Sequence, residues 1–268
     1  KKMKKKGFDI LKDIRGFLLD MDGTFYLGSQ SLPGANKFLK IISNRNLKYL
    51  FLTNNSSKHA RLYAQKLKSM GINVQQKNIF TSGQAAAIFL KERESGSCVY
   101  VVGTQALIDE FTQNGFVIDE KKPDFVVLGF DTTLTYKKLW KLCNFVRAGL
   151  PYYATHPDFN CPVENGFMPD IGATIAFVAA STNRKPDLII GKPNKPIIDA
   201  IVKKLGLPVE KLAMVGDRLY TDIALGKAGI RTILVLTGET KLEDLEGSEF
   251  QPDLIVNDLT ELVNILES

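Results

Sequence analysis

The chain has 268 residues, enough for one large or two ordinary domains and a substantial core, and at 44% hydrophobic and 24% charged it has the make-up of a soluble globular protein. Its formal charge of +6 is local: five lysines lie within residues 1–6, and without them 30 basic side chains face 29 acidic ones. A basic footprint for nucleic acid belongs on a folded face, not on a frayed terminus, so neither nucleic acid nor a membrane is an expected partner.

The lysine run resembles the front of an export signal, but Asp9, Lys12, Asp13 and Arg15 interrupt any apolar segment behind it, and no stretch approaches the length of a membrane span. Cys98, Cys143 and Cys161 are odd in number and form no Cys-x-x-Cys pair, which fits a reducing cytoplasm better than a disulfide framework or a zinc knuckle. His59 and His156 are too few and too far apart to suggest a histidine-rich metal site.

The first element is the short apolar run Phe17-Leu18-Leu19, which reads as a buried parallel strand ending in Asp20-Met21-Asp22-Gly23-Thr24. Asp20 and Asp22 alternate, so they share a side and converge, and two convergent carboxylates call for a cation. An EF-hand loop is excluded, because its sixth and twelfth positions would be Phe25 and Ser31 in place of Gly and Glu. Plain turn chemistry remains the competing explanation of this stretch taken alone.

A Pro33-Gly34 break precedes a helical pattern through Phe38, Leu39, Ile41 and Ile42, and a strand at Tyr49–Leu52 runs into Thr53-Asn54-Asn55. Helical spacing returns through Leu62, Tyr63, Leu67 and Met70, then Ile79-Phe80 leads to an alanine-rich helix from Gln84. From Cys98 the pattern starts again: strand 98–102, helix from Gln105, strand 125–129, helix 136–147, strand 152–154. A long loop rich in proline, Asn and Gly, His156–Pro169, and a helix over 172–180 close this insert. The third section resumes the first, with strand 188–190 into Gly191-Lys192-Pro193, helix 195–205, strand 212–215 into Gly216-Asp217, helix 219–228, strands 231–235 and 254–256, and a last helix from Leu259.

Four strands thus end in Asp20/Asp22, Thr53/Asn54, Lys192 and Asp217, groups suited to a phosphate or to its metal, and parallel strands bring such tips to one sheet edge. Each alone has a structural explanation: a helix cap for Thr-Asn, a surface turn for Gly-Lys-Pro, a loop for Gly-Asp-Arg.

In order and spacing, Asp20-Met21-Asp22-Gly23-Thr24, Leu52-Thr53-Asn54, Gly191-Lys192-Pro193 and Gly216-Asp217-Arg218-Leu219-Tyr220-Thr221-Asp222 resemble the motifs of haloacid dehalogenase-like phosphatases. The insert resembles the large cap of their class IIA (C2 cap) branch, the NagD-like and 4-nitrophenylphosphatase group. The resemblance implies an α/β fold, a Rossmann-like core with a parallel sheet over residues 1–83 and 185–268 carrying an inserted α/β cap over 84–184. It implies a phosphomonoester hydrolase dependent on magnesium. Tyr220 stands where many relatives carry another polar residue, which blurs the substrate.

The chemistry agrees residue by residue. Asp20 is the expected nucleophile, forming an aspartyl-phosphate; Asp22 is the general acid and then base. Asp20, Asp217 and the carbonyl of Asp22 are expected to hold Mg2+, with Asp222 behind them or, equally, as a helix-end charge. Thr53, Asn54, Asn55 and Lys192 are the expected phosphate-binding groups. His156 and Asp158 are the foremost cap candidates for reading the substrate, with Phe159, Asn160 and Asp170 behind them. The expected substrate is a small phosphorylated metabolite: a sugar phosphate, a nucleotide monophosphate or a 4-nitrophenyl phosphate-like ester. A mutase sharing the intermediate and a non-catalytic phospholigand-binding module are the alternatives. A homodimer is compatible with the sequence, although no periodic apolar seam argues for one.

Overall fold

The computed structural model describes residues 9–163 and 166–268. The lysine run expected to fray lies outside the described residues. In chain order the principal elements are β1 (Gly16–Leu19), α1 (Ala35–Asn44), β2 (Lys48–Thr53), α2 (Ala60–Ser69), β3 (Ile79–Thr81), α3 (Ser82–Arg93), β4 (Cys98–Val102), α4 (Gln105–Gln113), β5 (Val117–Ile118), β6 (Phe125–Leu128) and α5 (Tyr136–Arg147). There follow β7 (Tyr152–Ala154), β8 (Asn160–Val163), β9 (Gly166–Pro169), α6 (Ile171–Thr182), β10 (Leu188–Ile189), α7 (Lys195–Leu205), β11 (Leu212–Gly216), β12 (Arg231–Val235), β13 (Leu254–Val256) and α8 (Leu259–Glu267).

Two compact units result. The first contains the described residues of Lys1–Thr53 with Arg61–Phe80 and Ile201–Ser268. Its sheet has the order β13-β12-β11-β1-β2-β3, and the pairings from β13 through β2 are parallel. Every residue of β1 is buried, because it lies between β2 and β11 and is covered on both faces; this is why its apolar run does not alternate. The chain leaves β1 toward β2 on one side and returns to β11 on the other. The strand order therefore reverses between β1 and β11, where open α/β sheets form a crevice at their carboxyl ends.

Ala35, Phe38, Leu39 and Ile42 recur at helical spacing and form the buried stripe of α1. Phe38 sets its ring edge-on to Phe17 at 5.4 Å and to Phe25 at 6.1 Å, and Phe25 meets Phe51 at 4.8 Å, so one aromatic cluster ties α1 to β1 and β2.

The second unit contains Asn54–Ala60 and Thr81–Ala200. Its sheet has the order β10-β7-β6-β4-β5, parallel throughout. Its core joins Tyr100, Val102, Val126, Leu128, Tyr152 and Ala154 of the strands to Leu142, Cys143 and Val146 of α5 and Ile171 and Val178 of α6. Cys98, Cys143 and Cys161 are free thiols, and no helix among the described residues is long and apolar enough to cross a membrane.

Several local expectations change. Leu188–Ile189, read as part of the first sheet, pair with Tyr153–Ala154 at the edge of the second, because an apolar triplet marks a strand without saying which neighbour it takes. The insert expected over 84–184 lies within the second compact unit, 54–60 and 81–200. Within the expected loop His156–Pro169, Asn160–Val163 and Gly166–Pro169 pair as an antiparallel hairpin. The helix expected over 219–228 is reduced to a 3-10 turn at Ile223–Ala228, closed by Gly229 at φ 90°.

Two outcomes follow from this packing. Phe38→Ala removes the ring that two others touch, and it should lower the unfolding free energy by about 3–5 kcal/mol in urea denaturation. Burial, with the charges of Glu120 and Asp131, pushes the Tyr100 phenol from 10.0 up to about 12. The folded chain then keeps this proton longer than the unfolded chain, so the contribution is complete below pH 10.0 and is lost as pH rises toward about 12. Tyr100→Phe should flatten that alkaline loss, as read from denaturation midpoints across this range.

Candidate active site

In the first unit, β1 and β11 deliver their carboxylates side by side. The Asp20 amide donates to the Val215 carbonyl at 2.9 Å, which registers the end of β1 against β11. Beyond it the chain folds back at once, with Gly23 at φ 84° and its amide on the Tyr26 carbonyl at 2.8 Å. Asp20, Asp217 and Asp222 each bring a carboxylate oxygen within 4.8 Å of the others. Asp20 is half-buried; Asp217 and Asp222 are buried.

Such a cluster repels itself. Burial, and then the charges of Asp20 and Asp222, raise the Asp217 carboxyl well above the usual carboxylate range, against the opposing pull of the Glu239 amide. That amide donates to Asp217 Oδ2 at 2.7 Å, while Asp217 Oδ1 is buried with no hydrogen-bond partner among the described residues. Three hard oxygen donors, mutual repulsion and an orphaned carboxylate oxygen fit a divalent ion such as Mg2+. Asp222 has a further tie: its Oδ2 accepts the Arg218 amide at 3.2 Å. Thr53 is buried at the end of β2.

In the second unit, the segment leaving β2 meets the ends of β7 and β10. The Asn54 carboxamide brackets Lys192, its Oδ1 accepting the Lys192 amide at 2.8 Å and its Nδ2 donating to the Lys192 carbonyl at 3.1 Å. The same Nδ2 reaches Asp158 Oδ1 at 3.0 Å, and Ser82 Oγ donates to the Asn54 carbonyl. Lys192 and Asp158 are both buried.

His156 is fully buried and both its ring nitrogens are engaged: Nε2 with Asp170 Oδ1 at 2.9 Å, Nδ1 with Thr155 Oγ1 at 2.9 Å. Asp170 also caps α6, its Oδ1 accepting the Ile171 amide at 2.6 Å. His156, expected to read the substrate, here braces the exit of β7 against the start of α6. Asn55, expected on the phosphate, gives its Oδ1 to the Ser57 amide and hydroxyl at 2.9 and 2.6 Å, an Asx turn. Phe159 is exposed, on the residue before β8.

Sequence reasoning missed Ser82, Thr155 and the segment Leu236–Thr240. The last had a signal: Thr237-Gly238-Glu239-Thr240 is a polar, glycine-bearing tip behind the apolar strand 231–235, the same pattern that marked the other tips.

Against known proteins, residues 17–117 match a family model described as haloacid dehalogenase-like hydrolase, and residues 189–262 match a second, HAD-hydrolase-like model. The chain belongs to the haloacid dehalogenase-like hydrolases. Within them it falls in the class IIA, NagD-like group and is an HAD-type phosphatase. It is 37% identical over 259 residues to the acid sugar phosphatase of Staphylococcus haemolyticus, covering 96% of this chain and 98% of that one. It is 34% identical over 254 residues to a 5'-nucleotidase of Bacillus subtilis, covering 94% and 99%. The crystal structure of a 4-nitrophenylphosphatase from Thermotoga maritima superposes with a TM-score of 0.92 at 51% identity, covering 95% and 98%.

The bracket around Lys192 has a direct test. Asn54→Ala leaves the Lys192 main chain and Asp158 without their shared partner, and it should cost about 1–3 kcal/mol in chemical denaturation. Asn54→Asp should be at least as damaging, because a second acceptor would then face the Lys192 carbonyl and Asp158.

Proposed function

We propose that this phosphatase hydrolyses small phosphomonoesters with Mg2+ through an aspartyl-phosphate on Asp20. The observation that carries this is the trio Asp20, Asp217 and Asp222, two of them buried, with one Asp217 oxygen left without a donor among the described residues. The bound ion would be held by Asp20, Asp217 and the Asp22 carbonyl, with Asp222 behind them, and would offset the charge of the phosphoryl group.

On this reading Asp20 attacks phosphorus and the bond to the ester oxygen breaks. Asp22 gives the departing alkoxide a proton and then takes one from the water that cleaves the aspartyl-phosphate, releasing phosphate and restoring both carboxyls. The Thr53 hydroxyl and Asn54 amide hold phosphoryl oxygens, and Lys192, oriented through its main chain by Asn54, balances their charge. The insert expected over 84–184 would act as the cap that selects the leaving group, with Asp158 as its foremost polar candidate. The names of the relatives support sugar phosphates, nucleoside monophosphates and 4-nitrophenyl phosphate as the substrate range. That they are phosphatases favours hydrolysis over transfer within one substrate. Free cysteines suit a reducing compartment such as the cytoplasm.

A panel of these esters, assayed for phosphate release with Mg2+, with a chelator and with Asp20→Asn in parallel, tests the proposal. Release should require the ion and should fall about a thousandfold or more in Asp20→Asn. Turnover at the parent rate in that variant would refute the covalent route, and isomerised product without phosphate release would make the enzyme a mutase.

A further inference from the structure

We infer that the segment Leu236–Thr240, which follows β12, is a positioning element that locks Asp217 in its ion-binding orientation; this rests on the metal role of Asp217 proposed above. Three hydrogen bonds and two close approaches converge on that side chain or on the turn beside it. The Glu239 amide donates to Asp217 Oδ2 at 2.7 Å, and the Thr240 amide donates to the Asp217 carbonyl at 3.2 Å. A methyl group on Gly238 would lie 2.0 Å from Asp217 Oδ2 and 2.4 Å from its Cγ. One on Gly23 would lie 2.6 Å from the same oxygen and 3.0 Å from the Gly238 Cα. Thr237 Oγ1 donates to the Gly23 carbonyl at 2.6 Å and so holds the two glycine turns together.

Oδ2 is thus boxed between two bare Cα positions and one amide. The carboxylate cannot rotate without losing that hydrogen bond or striking main chain, and Oδ1 is the oxygen left without a donor among the described residues. Gly238 itself does not have the positive φ that would demand glycine, so the Asp217 carboxylate is the steric reason for a bare Cα there. The side chain of Glu239 adds a second anchor, its Oε2 pairing with Arg218 Nε at 3.0 Å. Fixing a ligand through the groups behind it sets metal affinity, and losing such support commonly costs about 10–100-fold.

The test is a titration of the full chain with Mg2+ by calorimetry and with Mn2+ by electron paramagnetic resonance, beside circular dichroism and thermal melts. Gly238→Ala should stay folded and bind both ions about tenfold or more weakly. Thr237→Val should also weaken binding, and Thr237→Ser, which keeps the hydroxyl, should restore it. Val263→Ala, a cavity in the buried face of α8, serves as the control: it should lower the melting temperature and leave ion affinity at the parent value. Parent-like affinity in Gly238→Ala, or an equal loss in Val263→Ala, would overturn the inference. If Gly238→Ala does not fold, the Thr237 pair decides, and parent-like binding by Thr237→Val overturns it. A parent chain that binds neither ion would instead defeat the metal role of Asp217, and the positioning role with it.

Discussion

The first unit is arranged around a repulsion. Asp20, Asp217 and Asp222 lie within 4.8 Å of one another at the reversal of strand order, and two of the three are buried. Ionised carboxylates withdrawn from water cost several kcal/mol each unless something offsets them, and each raises the energy of its neighbours. The protein supplies part of the offset through the Glu239 and Arg218 amides, and the proposed cation would supply the rest. A crevice at the carboxyl ends of β1 and β11 is where a sheet can tolerate this, since the connections leave in opposite directions there and do not cover the tips.

One group of buried polar side chains in the second unit is arranged in the opposite way. Ser56, Ser82, Thr155, His156 and Asp170 close hydrogen bonds on one another or on main chain, and Asn54 completes the set by holding Lys192 and Asp158. A paired network of this kind favours one rigid arrangement, and within it Asn54 fixes the main chain of Lys192. This separates the roles of the polar side chains. His156, paired at both nitrogens, builds the frame, whereas Asp217, with one oxygen unpaired, awaits chemistry.

Glycine marks both solutions to close approach around Asp217. Gly23 and Gly238 come from turns after different strands, yet the same carboxylate oxygen occupies the space a side chain would need at both, in addition to the positive φ at Gly23. The constraint is mutual: the glycines allow the approach, and the approach then restricts the aspartate.

The strand tips Asp20, Thr53, Lys192 and Asp217 were legible in the chain because each signal is local: a short apolar run, an abrupt polar stop, a glycine to turn on. Those runs also determined the α/β class, and the order of the motifs determined the family. Tertiary structure alone decided that Leu188–Ile189 join the second sheet, since an apolar triplet carries no address. It decided that Asn54 grips a residue 138 positions away and that Glu239 secures Asp217 from 22 positions away. It also set the His156 ring between Thr155 and Asp170. Periodicity and turn chemistry are properties of neighbours along the chain, whereas hydrogen-bond partnership and charge repulsion depend on distance in space, which exists only once the sheets have formed.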